Sequence, residues 1–302
     1  MRTASESLAE IRRLIDTHAR ADLRTPIDGL LLSKVAGGGS PDYSLTDPLL
    51  VVMAQGGKRL LIGDEVFEYR AGQCLVVAAS LPVTGHYLDT TPEHPSLAMG
   101  LVLRPEALSA LLLRAPALPR TRAAAGTAAI ATGDASPELL DAVARLLHLL
   151  ASPADAAVLG PLVEQEILWR LLTGPQGDIA RQIGLADSAL AHVNRAITWM
   201  RDNYAVPVRM EDLAQMSGMS VSAFHRQFQT VTAMSPLQFQ KRIRLQQARS
   251  LLVARSGDIA GVGHRVGYDS PSQFNREYRR LFGAPPGQDA ARLRERGEPS
   301  FP

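Results

Sequence analysis

The spacing of apolar residues changes character three times along the chain. Between Ser5 and Ala21, Leu8, Ile11, Leu14 and Ile15 recur at helical spacing among charged neighbours, which predicts a short amphipathic helix. From residue 29 to 103 the apolar runs become brief and are broken by turn residues at Gly56-Gly57, Gly63-Asp64, Ala71-Gly72 and Pro92. They predict strands at 30–36, 49–54, 58–62, 66–69, 74–79, 83–88 and 97–103. Short, closely spaced strands of this kind favour a small antiparallel barrel or sandwich.

Helical spacing returns after Pro105. Ser136-Pro137-Glu138 reads as an N-cap, a proline at the first helical position and an acid in the first turn, opening a helix to about residue 150. Ser152-Pro153 opens the next helix, which is apolar on more than one face from 159 to 172 and stops at Gly174-Pro175. Helices that apolar need a partner, either the barrel or a second subunit. Residues 115–135 read as loop with one strand near 128–132, and 174–177 as a domain boundary.

Beyond residue 187 one pattern is written twice. Phe224, Arg226, Phe228 and Pro236 recur fifty residues later as Phe274, Arg276, Tyr278 and Pro286, and Ala214 and Gly218 recur at an offset of 49 as Gly263 and Gly267. Each copy predicts a short helix, a glycine turn and a second helix, the layout of a helix-turn-helix, whose second helix suits a DNA major groove. A helix over 190–204 precedes the first copy, and one long helix over 236–254 joins the two. Nineteen residues at about 1.5 Å each span ~28 Å, against the roughly 34 Å between successive major grooves on one DNA face. A rod of that length can set two recognition helices into adjacent turns. In each copy the aromatic pair faces inward. Ser222, His225 and Arg226 of the first copy, and Ser272, Gln273, Asn275 and Arg276 of the second, then point outward as candidates for base contact, because Arg, Asn and Gln bond bidentately to purine edges. Lys241, Arg242, Arg244, Arg279 and Arg280 are candidate phosphate contacts.

Charge supports that placement. Residues 187–302 carry 16 Lys and Arg against 10 Asp and Glu, whereas the remainder carries 16 against 20, so the doubled pattern lies in the cationic part. The 302 residues predict about two domains, and 46% hydrophobic residues suffice for sizeable cores. No apolar run approaches the roughly 20 residues of a membrane span, and the N-terminus lacks the order of a signal peptide. The single cysteine, Cys74, allows no internal disulfide and suits a reducing cytoplasm.

With these residues in view the chain resembles the AraC/XylS-type transcriptional regulators. Gly218-Met219-Ser220, Phe224 and Phe228, then Arg265-Val266-Gly267-Tyr268, Phe274, Tyr278-Arg279-Arg280-Leu281-Phe282-Gly283 and Pro286, carry the resemblance over about 105 residues. Two positions depart from it: Ala233 where a glycine is usual, and Gly263 where an alanine is, the latter weakening its helix by about 1 kcal/mol. The stretches 52–59, 63–69, 72–77 and 81–85 resemble the family's cupin-like sensor domain. The resemblance implies an α+β chain: an N-terminal helix (1–25), a cupin-like β-barrel (26–135), a helical linker and dimerisation region (136–186), and an all-α domain with two helix-turn-helix motifs (187–302). It further implies a transcriptional activator acting on double-stranded DNA as a homodimer with RNA polymerase, controlled by a barrel that senses a small-molecule effector or mediates oligomerisation, with no cofactor and no catalytic residue expected.

Inward-facing barrel residues would line the effector pocket, and the strand reading selects Met53, Arg59, Tyr69, Tyr87, Met99 and Leu101. A one-residue slip of register inverts that list. Many cupin barrels are metalloenzymes, but only His86 and His94 fall in this stretch, without the clustered spacing a metal site needs, so no metal is expected. Cys74 reads as a small buried hydrophobe; as a thiol sensor it would need exposure and a lowered pKa. The competing readings are a cupin-type metalloenzyme with a DNA-binding tail and an architectural DNA-binding dimer that takes no ligand.

Overall fold

The computed structural model of the chain describes residues 2–37, 39, 41–115, 129–254 and 258–296. The predicted first helix is α1 (Ala4–His18), opened by a capping box. The Thr3 hydroxyl accepts from the Glu6 amide, and the Glu6 carboxylate accepts from the Thr3 amide. Ile11, Leu14 and Ile15 form its buried stripe, each contributing about 1.5–3 kcal/mol through burial.

Strands β1 (Leu30–Val35), β2 (Asp42–Thr46), β3 (Leu49–Gln55), β4 (Gly57–Ile62), β5 (Glu65–Arg70), β6 (Gln73–Val77), β7 (Leu81–Leu88), β8 (Ser96–Val102) and β9 (Ile130–Asp134) form two antiparallel sheets. Their orders are β1-β8-β3-β6-β9 and β2-β7-β4-β5. The sheets face each other, with β5 packing against β3, β6 and β9, so the unit is barrel-like but not closed. The seven expected strands are all present. Strand β2 was not expected, since Asp42-Tyr43-Ser44-Leu45-Thr46 has no apolar run and every residue in it is only partly buried. The strand expected near 128–132 is β9; residues 116–128 of the expected loop lie outside the described residues.

Register decides what each face meets. Leu30, Leu32, Leu50, Val52, Cys74, Val76, Met99 and Leu101 share one face of the larger sheet and are at most 1% exposed. Lys34 continues that face and reaches Asp16 of α1 at 2.6 Å, so this layer packs under α1. The opposite face looks toward the smaller sheet.

The helical layer comprises α2 (Pro105–Arg114), α3 (Pro137–His148), a single 3₁₀ turn (Leu149–Ala151), α4 (Pro153–Thr173) and α5 (Gly177–Gly184). Ser136 caps α3 as its sequence predicts. The stretch expected as a boundary, 174–177, leads directly into α5, which packs on α2.

The remaining helices are α6 (Ala189–Asp202), α7 (Met210–Met216), α8 (Val221–Thr232), α9 (Pro236–Ala254), α10 (Ile259–Arg265), α11 (Pro271–Phe282) and α12 (Pro286–Arg296). Pairs α7–α8 and α10–α11 are the two helix-turn-helix units. Their turn residues Gly218 (φ 65°) and Gly267 (φ 88°) take the left-handed conformation that glycine adopts without strain. Ser220 and Ser270 cap α8 and α11, accepting from the Ala223 and Gln273 amides. Helix α9 packs on α6 and α8 at one end and on α10, α11 and α12 toward the other.

The core divides unevenly. Leu213, Ala214, Phe224, Phe228, Phe239 and Ile243 of the first unit join one continuous core with the sheets and the helical layer. Leu245, Leu252, Val262, Val266, Phe274, Tyr278 and Phe282 form a separate core in the second.

Candidate DNA-binding interface

Each reading helix is anchored by its aromatic pair. Phe224 and Phe228 on α8, and Phe274 and Tyr278 on α11, are fully buried. At an offset of four they fix the helix rotation, so the opposite face must be presented to solvent. Ser222, His225 and Arg226 on α8, and Ser272, Asn275 and Arg276 on α11, are exposed accordingly. Gln273 is partly buried and donates to Glu277 at 3.2 Å. Asn275, Arg276, Arg279, Arg280 and Pro285 line a groove of about 590 Å³. Among the described residues Arg276, Arg279 and Arg280 have no acidic partner within ion-pair distance, which leaves an uncompensated cationic strip along α11.

The five expected phosphate contacts separate. Arg279 and Arg280 are exposed. Lys241 is exposed but bound to Glu277 of α11 at 3.0 Å. Burial alone would raise the Glu277 carboxyl, but hydrogen bonds from Gln273, Lys241 and Tyr268 hold it below the usual range. Arg242 is partly buried beside Asp64 of the β4–β5 turn, and burial depresses its pKa. Arg244 corrects the expectation: its guanidinium donates to the carbonyls of Tyr204, Ala205, Val206 and Gly267 at 2.7–3.3 Å. It braces the loop before α7 and the second turn, and its donors are spent there.

Arg249 was absent from the expected set and holds the second unit together. It pairs with Asp289 at 2.8 Å, and Asp289 also accepts from the Tyr278 hydroxyl at 3.0 Å and from Arg292 at 2.7 Å. Burial would raise the Asp289 carboxyl, but these donors keep it below its ordinary value.

In the sandwich, the smaller sheet places Lys58, Tyr69 and Tyr87 side by side in register. The neighbouring Arg59, Glu68 and Val66 take the exposed outer face. Lys58 pairs with Asp42 at 2.9 Å and lies 4.6 Å from the centre of the Tyr87 ring. Burial would lower the Lys58 pKa, but the charge of Asp42 outweighs it and the value is raised. Burial pushes Tyr69 up to about 12. Tyr69 and Tyr87 therefore face inward as expected, and Met53 shares the inner face of the larger sheet. Arg59 does not, since it points outward to Glu68 at 3.0 Å. Met99 and Leu101 belong to the layer under α1. The inward cation is Lys58, one position away, and its alternation with Leu60 and Ile62 was the signal that could have found it.

Cys74 is buried, and burial together with Asp134 pushes its thiol up to about 11, away from a reactive thiolate. Among the described residues no three His, Cys, Asp or Glu side chains come close enough to hold a metal. No helix among them is long and apolar enough to cross a membrane.

The sandwich touches both reading units. The Ala129 amide donates to the Val231 carbonyl of α8, and Arg201 of α6 reaches Asp47 at 2.5 Å. Gln246 of α9 donates to the Ser44 carbonyl at 3.0 Å. The Tyr43 hydroxyl donates to the Leu281 carbonyl of α11 at 3.2 Å, and its ring meets Phe282 edge-on at 4.8 Å. None of the exposed base-contact candidates takes part in these contacts.

Comparison with known proteins gives a consistent set of likenesses. Residues 26–179 match the model of the AraC-type transcriptional regulator N-terminus, and residues 213–292 match a helix-turn-helix domain. The HTH-type transcriptional activator RhaS of Salmonella agona is 27% identical over 160 residues, covering 50% of this chain and 56% of that protein. RhaS of Salmonella typhimurium gives the same figures, 27% over 160 residues. The chain thus spans about half the length, 56%, of these curated relatives. Among solved structures, an apo ToxT variant from Vibrio cholerae strain SCE256 has a TM-score of 0.58 at 9% identity, covering 89% of this chain and 99% of that one. Unsaturated fatty acid bound wild-type ToxT from the same strain gives 0.56 at 8%, covering 86% and 94%. These two show the likeness of fold.

Proposed function

Because the chain belongs to the AraC-type transcriptional regulators, we propose that it is a sequence-specific transcriptional activator that reads two successive major grooves with α8 and α11. One observation carries this reading. Two capped helices present exposed polar faces, Ser222–His225–Arg226 and Ser272–Asn275–Arg276, and a single helix of 19 residues joins their units. Arg226 and Arg276 are the base-reading arginines, with Arg279 and Arg280 on phosphates. Lys241 reaches phosphate only by leaving Glu277, and Arg242 only by leaving the β4–β5 turn. The activator role is supported by the name of the RhaS relatives, and it makes RNA polymerase, in the cytoplasm, the protein partner.

The sandwich acts as the sensor for a small molecule. Fatty acid bound to ToxT, a protein of the same fold, supports this, as do the inward polar groups Lys58, Tyr69 and Tyr87. A homodimer forms through α4, where Val158 and Leu162, four residues apart, are 68% and 61% exposed.

The test is selection of duplexes from random DNA with the full chain, followed by gel-shift at several salt concentrations. Enrichment of sites with two boxes one helical turn apart, bound far more tightly than random DNA, is expected. Recovery of no preferred sequence would remove the reading. Run-off transcription with polymerase, from a promoter carrying the selected site, separates activation from binding alone.

A further inference from the structure

Strand β2 has two attachments on opposite sides. Successive residues of a strand point to opposite faces, so Asp42 enters the sandwich and Tyr43 leaves it. Asp42 holds Lys58 at 2.9 Å. Tyr43 rests on the last turn of α11 through its hydroxyl bond to Leu281 and its edge contact with Phe282. The Arg249 guanidinium lies 4.9 Å from the Tyr43 ring and 5.0 Å from the Phe282 ring, closing a stack of sandwich and reading unit. One peptide unit therefore separates a charge inside the sandwich from the end of the second reading helix.

β2 is also free to move on one side. It is an edge strand, bonded on one side only, to β7. Asp42 is the one carboxylate within ion-pair distance of Lys58 among the described residues. The Lys58 side chain is 15% exposed and that of Asp42 31%, so solvent reaches the pair from the Asp42 side. An ammonium so shielded cannot cheaply be left alone, and only another anion can take the place of Asp42.

Building on the reading of the sandwich as a sensor, we propose that Lys58 is the acceptor for a carboxylate-bearing effector. The effector displaces Asp42, and β2 carries that exchange through Tyr43 to α11, loosening the second reading unit from the sandwich. The chemistry required of the effector follows: a neutral molecule of the same size would leave β2 in place.

The experiment uses the full chain and needs no DNA, so its outcome is separate from that of the gel-shift. In Asp42→Ala the missing carboxylate is supplied as sodium acetate, with sodium chloride at equal ionic strength as control. Acetate is expected to raise the Tm of Asp42→Ala and to leave Asp42→Ala/Lys58→Met unchanged. An equal response of the two, or none in either, would overturn Lys58 as the acceptor. Amide hydrogen exchange over 279–284 then tests the relay. Tyr43→Ala and the charge-neutral Asp42→Asn/Lys58→Met are each expected to speed exchange about tenfold. The triple variant should be no faster than either, because both lesions cut one path. Wild-type exchange in Asp42→Asn/Lys58→Met, or additive acceleration in the triple variant, would overturn it. Tyr43→Phe keeps the ring and loses one hydrogen bond, so a smaller increase there separates loss of the seat from general unfolding.

Discussion

Arg244 and Arg276 both lie on cationic helices of the reading units, yet their surroundings give them different work. Arg276 points to solvent beside Asn275, and Arg276→Ala should cost about 1–3 kcal/mol of specific binding with little change on random DNA, as read by competition gel-shift. Arg244 donates to four carbonyls from two segments. Arg244→Ala should therefore lower folding stability by about 1.5–3 kcal/mol in urea unfolding, the range for hydrogen bonds to a charged group, and leave the salt slope of DNA binding unchanged. The sequence places Arg276 in the repeat and Arg244 on the joining helix, but it does not show that Arg244 is bonded inward, because its partners lie some 40 residues upstream and at the second turn. Asp289 is a further case. Its carboxyl is wholly buried and its pKa is lowered in the fold. A lowered folded value stabilises above the unfolded pKa, about 3.9, and that stability is lost as pH falls through the folded value. Asp289→Asn should remove this acid-side loss from the pH profile of Tm and leave Arg249 poorly paired at neutral pH. That broken buried pair should cost about 3–5 kcal/mol.

At the level of elements, the doubled pattern was the most legible part, because offsets of 49 and 50 residues fix caps, turns and anchors in both copies together. Helix α9 appears with the bounds expected for it. The sandwich was legible as strands and not as faces: Lys58 against Arg59 is a choice of one residue, and only the ladder to β5 and β7 settles it. Strand β2 was missed because its stabilising contacts are remote, from Lys58, Gln246 and α11, instead of an apolar run of its own. The two departures from the family pattern have local meaning in the fold. Ala233 ends α8 at φ 55°, where Gly283 ends α11 at φ 76°. Ala233→Gly should stabilise the chain by about 0.5–1 kcal/mol and Gly283→Ala destabilise it by about 1 kcal/mol, both read from urea midpoints. Gly263 sits under the Phe274 ring, where an added Cβ would lie 3.1 Å from it, so the glycine lets α10 approach α11 closely. Helix α4 offers a test of the proposed homodimer: Leu162→Asp should leave the chain monomeric in analytical ultracentrifugation where the unaltered chain sediments as a dimer, with Tm little changed, because the 61%-exposed side chain contributes little to the monomer core.

Across the whole molecule, the sandwich supplies acids to the helices docked on it, Asp47 to Arg201 of α6 and Asp64 beside Arg242 of α9, while Arg276, Arg279 and Arg280 of α11 stay exposed. Docking thus leaves the exposed base-contact candidates of α8 and α11 untouched. The uneven division of the core has a consequence for how such a chain changes over generations. The second unit keeps its apolar interior to itself, whereas the first shares one with everything upstream. A module with largely private packing tolerates exchange: transplanting 245–296 from a homologue would disturb only a few seams, at Tyr43, at Gln246 with Ser44, and where Arg244 and Lys241 reach Gly267 and Glu277, and would re-address half of the proposed operator. The same graft made at the first unit would tear the interior of its host.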